Sequence, residues 1–349
     1  MRKFLRRIVV FALPFFLLCV VKKAITPHQL GDSLHAEKLV HFQQNQDYYN
    51  TVLFGSSRIY RHINPAVLDT SLAERGVRSF NFATPSTMNP ESYYLFEKFL
   101  EGLEKNQVRY AILEANVLID PARNAATTKG SYWNTWSNLN YSLQYLWASG
   151  RPKAEVLSSA GNYLRSFLYS FLDFSLLNPQ RRAREHAPII QYHQNGYFAL
   201  EDEIAFLDQG NSLLQRRAKF QADTSRLVER ISPAQDYEVY SQQSATYNHV
   251  HFARLQHLLQ LAETKGIHLF FLLPPRLKAE AYQELVPLLQ QFPSEHVLSL
   301  YAYPAYQDFY SARYSFDIGH FNKEGADIFS RRVAAMMSTK LAGQSKDSQ

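Results

Sequence analysis

The sequence predicts an α/β protein: a flavodoxin-like three-layer α/β/α fold built on a parallel sheet of about five strands, interrupted by a mainly helical insertion and preceded by an N-terminal transmembrane helix. Three observations predict it. Short apolar runs of strand length alternate with amphipathic runs of helix length, from Thr51 to residue 120 and again from residue 246 to Met337. Residues 121–245 break that rhythm. Residues 1–25 combine an apolar run with basic flanks on both sides.

Taken in order, Ile8 to Val21 is apolar apart from Pro14, with Arg2, Lys3, Arg6 and Arg7 before it and Lys22 and Lys23 after it. Such flanks mark export segments rather than buried core helices. No small-residue cleavage site follows, so an uncleaved anchor is expected, with lysine side chains reaching the interface to extend a short span. The heavier basic flank lies on the N-terminal side, which places the N-terminus in the cytoplasm and the rest of the chain outside that membrane. Residues 26–48 are polar and read as a stalk. Strands are expected at Thr51–Phe54, Val77–Phe82, Tyr110–Leu113, Ile267–Leu273 and Val297–Leu300. Helices are expected at Glu91–Leu103, near 246–265, at Ala279–Gln291 and at Phe321–Met337, each with apolar residues at helical spacing. The parts are then 1–25 anchor, 26–48 stalk, 49–120 and 246–340 the two halves of the sheet domain, 121–245 the insertion and 341–349 a polar tail.

Composition narrows the function. The 349 residues are 46% hydrophobic and 19% charged, which excludes a fully disordered chain. A mean hydropathy of −0.31 excludes a polytopic membrane protein. The net charge of +6 is spread without a long Lys/Arg block, so nucleic acid is not an expected partner. The single cysteine, Cys19, excludes a disulfide scaffold and a Cys-rich metal site. His249-Val-His251 has no third ligand at useful spacing, so neither a metal nor a cofactor is expected.

In a parallel sheet with covered faces, chemistry collects at the carboxyl ends of the strands. There the sequence places Gly55-Ser56-Ser57-Arg58, then Asn81-Phe82-Ala83, then Glu114-Ala115-Asn116, and before the last helix Asp317-Ile318-Gly319-His320. Acyl transfer needs this set. A serine hydroxyl requires a base to become a nucleophile, a carboxylate holds the histidine in the right tautomer, and the oxyanion requires preorganised donors. A second D-x-x-H, Asp32 to His35, precedes any strand and reads as coincidence. Singly, Ser57 also reads as a helix-capping serine and Asn81 or Asn116 as loop residues; their order along the chain is what points to a site.

That order resembles the SGNH (GDSL-like) hydrolase superfamily over residues 49–120 and 246–340. The resemblance implies Ser57 as nucleophile, His320 as base and Asp317 as orienting acid. It also implies an oxyanion hole from the N–H groups of Ser57 and Ala83 with the Asn116 side chain. Three features depart from the usual pattern: G-S-S stands for G-D-S, Ala83 for a glycine, and E-A-N-V for G-x-N-D. The G-S-S form with an anchor and an insertion looks more like the branch that holds the D-alanyl transfer proteins of teichoic acid and the alginate O-acetylation proteins. The likeness implies an esterase or O-acyltransferase on an acylated envelope glycan or polymer, beside a membrane-bound O-acyltransferase and outside a bacterial cytoplasmic membrane. A non-catalytic glycan-binding or partner module and a membrane-surface lipid esterase are the alternatives.

The aromatic content is 14%, with every tryptophan in the insertion: Trp133, Trp136 and Trp147. Trp133 and Trp136 read either as self-packed core or as a platform for sugar or lipid. Arg181, Arg182, Arg184, Arg216 and Arg217 read as contacts to an anionic polymer or as solvated helix faces. Arg58, Asn81 and Arg276 are candidate substrate contacts at the active edge, with a structural ion pair the alternative for Arg58. The insertion is expected to form one wall of the cleft.

Overall fold

A computed structural model describes residues 2–25, 31–123, 128–130, 132–172, 194–206, 210–242 and 247–347. In chain order these form α1 (Arg2–Ile25), α2 (Ser33–Gln44), β1 (Thr51–Phe54), α3 (Ser57–His62), α4 (Pro65–Ser71), β2 (Ser79–Asn81), α5 (Glu91–Gly102) and β3 (Tyr110–Glu114). Next come α6 (Trp136–Ala148), α7 (Lys153–Leu172), α8 (Leu200–Phe206), α9 (Gly210–Ala222), α10 (Val228–Gln235) and α11 (Tyr237–Gln242). The chain then returns to the sheet with α12 (His249–Thr264), β4 (His268–Leu273), α13 (Ala279–Leu289), β5 (Val297–Ser299) and α14 (Lys323–Asp347).

The five strands make one parallel sheet in the order β2-β1-β3-β4-β5. Val52 pairs with Phe80 on one side and Ala111 on the other, and Ile112 pairs with Phe270. Successive residues of β1 are all buried, as are those of β3 and β4 beyond their first. Burial on both pleat faces means that both sheet faces are covered, which fits three α/β/α layers. This is the doubly wound order, whose direction switches between β1 and β3; the crevice outside those strand ends is where ligands bind in such sheets.

The chain divides into two compact units. One comprises Met1–Ala36 with Asp120–Pro188, the other Glu37–Ile119 with Ile189–Gln349. The sheet lies wholly in the second. The expected insertion is therefore shared: residues 120–188 belong to the first unit, and α8 to α11 to the sheet unit. Within the first unit α6 packs on α7, with the Trp136 and Phe167 ring centres 4.3 Å apart. α1 exposes Phe4, Val10, Leu13, Phe16 and Leu17. Among the described residues no helix is long and apolar enough to cross a membrane, so the expected span has no support in the fold; part of the run from Ile8 to Val21 lies outside the described side chains.

The stalk reading of 26–48 is corrected. Residues 26–30 lie outside the described residues, but Ser33–Gln44 is helical, and Lys38 and Phe42 are buried. These two are four residues apart and so share one helix face. Phe42 packs against Phe82 and Phe99 with ring centres 5.1 and 5.4 Å away. Phe54 stacks on Phe82 at 4.9 Å. Much of the aromatic excess therefore fills the sheet domain beside β1 and β2 rather than the insertion. The Lys38 ammonium donates to the carbonyls of Asn81, Ala83 and Gly196 at 2.8, 2.7 and 2.8 Å. A charge in that stripe hides it from a hydropathy reading.

Those three carbonyls make a direct test. Lys38→Met keeps the length of the side chain but leaves buried acceptors without their donor. The expected cost is ~3 kcal/mol, read as a lower Tm in thermal unfolding; an unchanged or higher Tm would show the contacts to be dispensable.

Candidate active site

The site begins where β1 ends. Ser56 caps α3, its hydroxyl accepting the Arg58 N–H at 3.3 Å, and Ser57 is the first helical residue. The Ser57 N–H therefore has no acceptor in the helix's own ladder and points outward from its N-terminus. Gly55 permits this tight exit. A Cβ on it would fall 2.5 Å from the Ile59 side chain and 2.7 Å from the Glu114 carboxylate.

Asp317 and His320 come from the loop before α14. Asn322 caps that helix through Gly325 N–H at 2.8 Å, and a Cβ on Gly325 would meet the Tyr314 carbonyl at 2.1 Å. Asp317 Oδ1 accepts the Gly319 and His320 N–H groups at 2.7 and 2.9 Å, so its carboxylate is built into its own loop. His320 Nδ1 lies 3.0 and 3.2 Å from the two Asp317 oxygens, and Nε2 lies 3.0 Å from Ser57 Oγ. An ionised carboxylate only accepts, so Nδ1 carries the imidazole proton and Nε2 is left to accept from the Ser57 hydroxyl. The chain Ser57–His320–Asp317 is assembled with its donors and acceptors in sequence.

Electrostatics keep it in that state. Burial alone would raise the Asp317 carboxyl, but the His320 hydrogen bond and charge, the Arg216 guanidinium and the Gly319 N–H outweigh it and hold it at about 2. Arg216 Nε sits 2.8 Å from Asp317 Oδ2. Burial lowers His320 below its ordinary range; the Asp317 hydrogen bond and charge pull the other way, and Arg58 and Arg216 add to the lowering. The His320 ring is thus neutral at pH 7 and able to accept a proton.

Behind the serine lies a buried ionic cluster. The Glu114 side chain is fully buried, accepts the Ser56 N–H at 2.6 Å, and pairs with Arg276 at 3.1 Å. Arg58 approaches the same carboxylate only to 3.9 Å. Arg276 also donates to Asn116 Oδ1 at 2.8 Å and to the Ala115 carbonyl. Fixing Oδ1 on Arg276 turns the Asn116 Nδ2 away from it, and among the described residues that nitrogen makes a long 3.4 Å contact with the Glu114 carbonyl alone. The Asn116 N–H donates to the Tyr93 hydroxyl at 2.9 Å. That hydroxyl lies 3.0 Å from His251 Nε2, and Glu284 is 3.0 Å from His251 Nδ1. His251, the second histidine of the H-x-H, therefore supports the strand-three loop, and no cluster of three or more potential metal ligands occurs among the described residues.

Several expected contacts fall elsewhere. Ala83, expected as an oxyanion donor, gives its N–H to Asn81 Oδ1 at 3.1 Å. Asn81, a candidate substrate contact, is fully buried and spends its Nδ2 on the Ile59 and Ile63 carbonyls at 3.0 and 3.1 Å. Arg276 is 3% exposed and committed to Glu114 and Asn116, so it holds the site rather than a substrate. Trp133 is buried in the other unit with its indole N–H on the Lys129 carbonyl at 2.8 Å; Trp136, in that same unit, is exposed. Arg181, Arg182 and Arg184 lie outside the described residues. Arg216 makes the Asp317 pair described above, and it and Arg217 lie over the Phe316 ring at 5.8 and 5.3 Å. Sequence reading did not single out Arg230, whose side chain is buried with its guanidinium 4.9 Å from the Phe321 ring centre. It also treated Glu114 only as a departure from a motif, although a charge closing an apolar strand signals a buried partner.

No protein-family model matches the chain, and no curated protein matches it either.

The opposed charges on His320 give a two-sided test. Followed by NMR, the His320 ring should titrate below its ordinary pKa. Asp317→Asn should lower it further, because the anion that favours imidazolium is gone. Arg216→Ala should raise it, because a cation is gone. A downward or absent shift in Arg216→Ala would contradict the assignment.

Proposed function

We propose that this chain is an SGNH-type serine esterase or O-acyltransferase of the cell envelope, acting on ester-linked acyl groups of a polysaccharide or related polymer. The observation that carries the reading is the continuous hydrogen-bond chain from Ser57 Oγ through His320 to Asp317. In this mechanism Ser57 Oγ attacks the ester carbonyl while its proton passes to His320 Nε2, and Asp317 stabilises the imidazolium. The carbonyl oxygen becomes an oxyanion held by the Ser57 N–H and the Asn116 Nδ2. The C–O bond to the alcohol breaks, the leaving alkoxide takes the proton from His320, and an acyl-serine remains. Water or an acceptor hydroxyl, deprotonated by His320, then attacks that ester and frees Ser57. No cofactor is required by these steps.

The envelope setting rests on the basic-flanked apolar run in residues 1–25, read as an uncleaved anchor with the sheet domain on the outer side of a bacterial cytoplasmic membrane. A membrane-bound O-acyltransferase as partner follows only from the resemblance to the D-alanyl transfer and alginate O-acetylation branch. A non-catalytic module of the same fold is the second reading. One observation favours it: the Ala83 N–H is spent on Asn81, which leaves one donor fewer for an oxyanion than the resemblance implies.

Hydrolysis of 4-nitrophenyl acetate by the full chain separates the two. Ser57→Ala and His320→Ala should each lower kcat by ~10³-fold or more with Tm unchanged, and Asn116→Ala by ~10²-fold. A wild-type rate in either of the first two would exclude this mechanism. Because the base must be neutral and burial depresses it, the acid limb of kcat/KM should fall at a pH below the ordinary histidine value. A midpoint above that value would mean that another group limits the reaction.

A further inference from the structure

The guanidiniums around Ser57 are not matched by carboxylates. Arg58 follows the nucleophile on α3, and its side chain is 18% exposed. Among the described residues its guanidinium has one ion pair, Glu114 at 3.9 Å, and that carboxylate is already engaged by Arg276 at 3.1 Å. Arg230, on α10, is 1% exposed, and its Nη1 has no hydrogen-bond partner. Its guanidinium lies 4.9 Å from the ring centre of Phe321, the residue after the base, and 5.4 Å from that of Tyr310. Aromatic faces offset part of a buried cation's desolvation but supply no counter-charge. Burial, with Arg276 and Arg230 as like charges, depresses Arg58 to about 10 despite Glu114. Burial lowers Arg230 as well, with only Tyr310, Tyr282 and Asp317 opposing it. Among the described residues, the ion pairs of Arg58, Arg216 and Arg276 engage two carboxylates, Glu114 and Asp317, and Arg230 makes none.

A buried, uncompensated guanidinium is costly unless an anion completes it. Its planar fork matches the oxygens of a carboxylate or a phosphate. We propose that Arg58 and Arg230 form an anion subsite beside Ser57 that takes a carboxylate or phosphate group carried by the substrate close to the ester it presents. This rests on the reading of Ser57 as nucleophile and adds a substrate class to it: esters of acidic molecules over neutral ones. Arg58 follows the nucleophile on α3, and the Arg230 guanidinium lies against the ring of Phe321, the residue after the base.

The test separates anion binding from turnover by using the full chain with Ser57→Ala. Inorganic phosphate and monomethyl succinate are titrated against Tm at constant ionic strength, with dimethyl succinate as the neutral control. A saturable rise in Tm is expected with at least one of the two anions and not with the diester; the responding anion tells phosphate from carboxylate. Adding Arg230→Met should raise Tm without anion, since an unpaired buried charge is removed, and should weaken the anion midpoint at least tenfold. Arg58→Gln, at a more exposed position, carries the same comparison should Arg230→Met fail to fold. With Ser57 intact, the kcat/KM ratio of 4-nitrophenyl hemisuccinate to 4-nitrophenyl acetate should fall at least tenfold in Arg58→Gln. No saturable effect of either anion, or an effect that survives both arginine substitutions, would overturn the subsite. Since the anion arm needs no turnover, it stands or falls apart from the Ser57 mechanism.

Discussion

The Glu114 carboxylate, fully buried at the end of β3, accepts the Ser56 N–H at 2.6 Å and pairs with Arg276 at 3.1 Å. Through these contacts it joins the ends of β1 and β3 to the loop after β4. Everything at the active edge depends on that junction. It sets where α3 starts and so where Ser57 projects. It forbids a side chain at position 55, because a Cβ there would lie 2.7 Å from Glu114 Oε2. It also holds Arg276, which in turn fixes the Asn116 amide. Breaking one partner of such a buried pair leaves the other uncompensated, at a typical cost of ~3–5 kcal/mol. The glutamate at this place is therefore tied to the rest of the site by physics.

The Ser57–His320–Asp317 chain is balanced between opposing influences. Burial favours neutral His320 and Asp317 favours the imidazolium, while Arg216 lies against the carboxylate and tempers its pull on the ring. Arg216 reaches this place from α9 and Arg230 from α10, both in the sequence segment that interrupts the α/β alternation. The insertion thus contributes to the sheet unit's site through arginines: Arg216, which the sequence offers as a polymer contact or a solvated face, pairs with Asp317, while Trp133 and Trp136 lie in the other unit.

Much of the frame was legible from residues alone. The first strand has the limits that its apolar run and Gly55 imply, and β4 and β5 fall within their expected spans. Asp317 and His320 at i and i+3 share one loop, as their spacing requires. What was not legible concerns direction. A sequence places Ala83 after β2 but does not say that its N–H turns inward to Asn81 rather than outward. Arg276 stands at an active edge in sequence, yet its side chain runs back beneath the strand ends because Glu114 is there to receive it. Lys38 reads as a solvated stalk residue because hydropathy scores a lysine the same whether its ammonium meets water or three carbonyls. For Arg276 and Lys38 the deciding partners are remote in sequence, and pattern reading is local; for Ala83 the partner is two residues away, and what decides is the direction of the N–H.

Covalent labelling reads the nucleophilicity of Ser57 itself. The full chain is treated with a fluorophosphonate, and the adduct is located by peptide mass spectrometry. One phosphonylated residue, Ser57, is expected, with loss of labelling in His320→Ala. An adduct on a different serine with Ser57 unmodified, or undiminished labelling in His320→Ala, would contradict it.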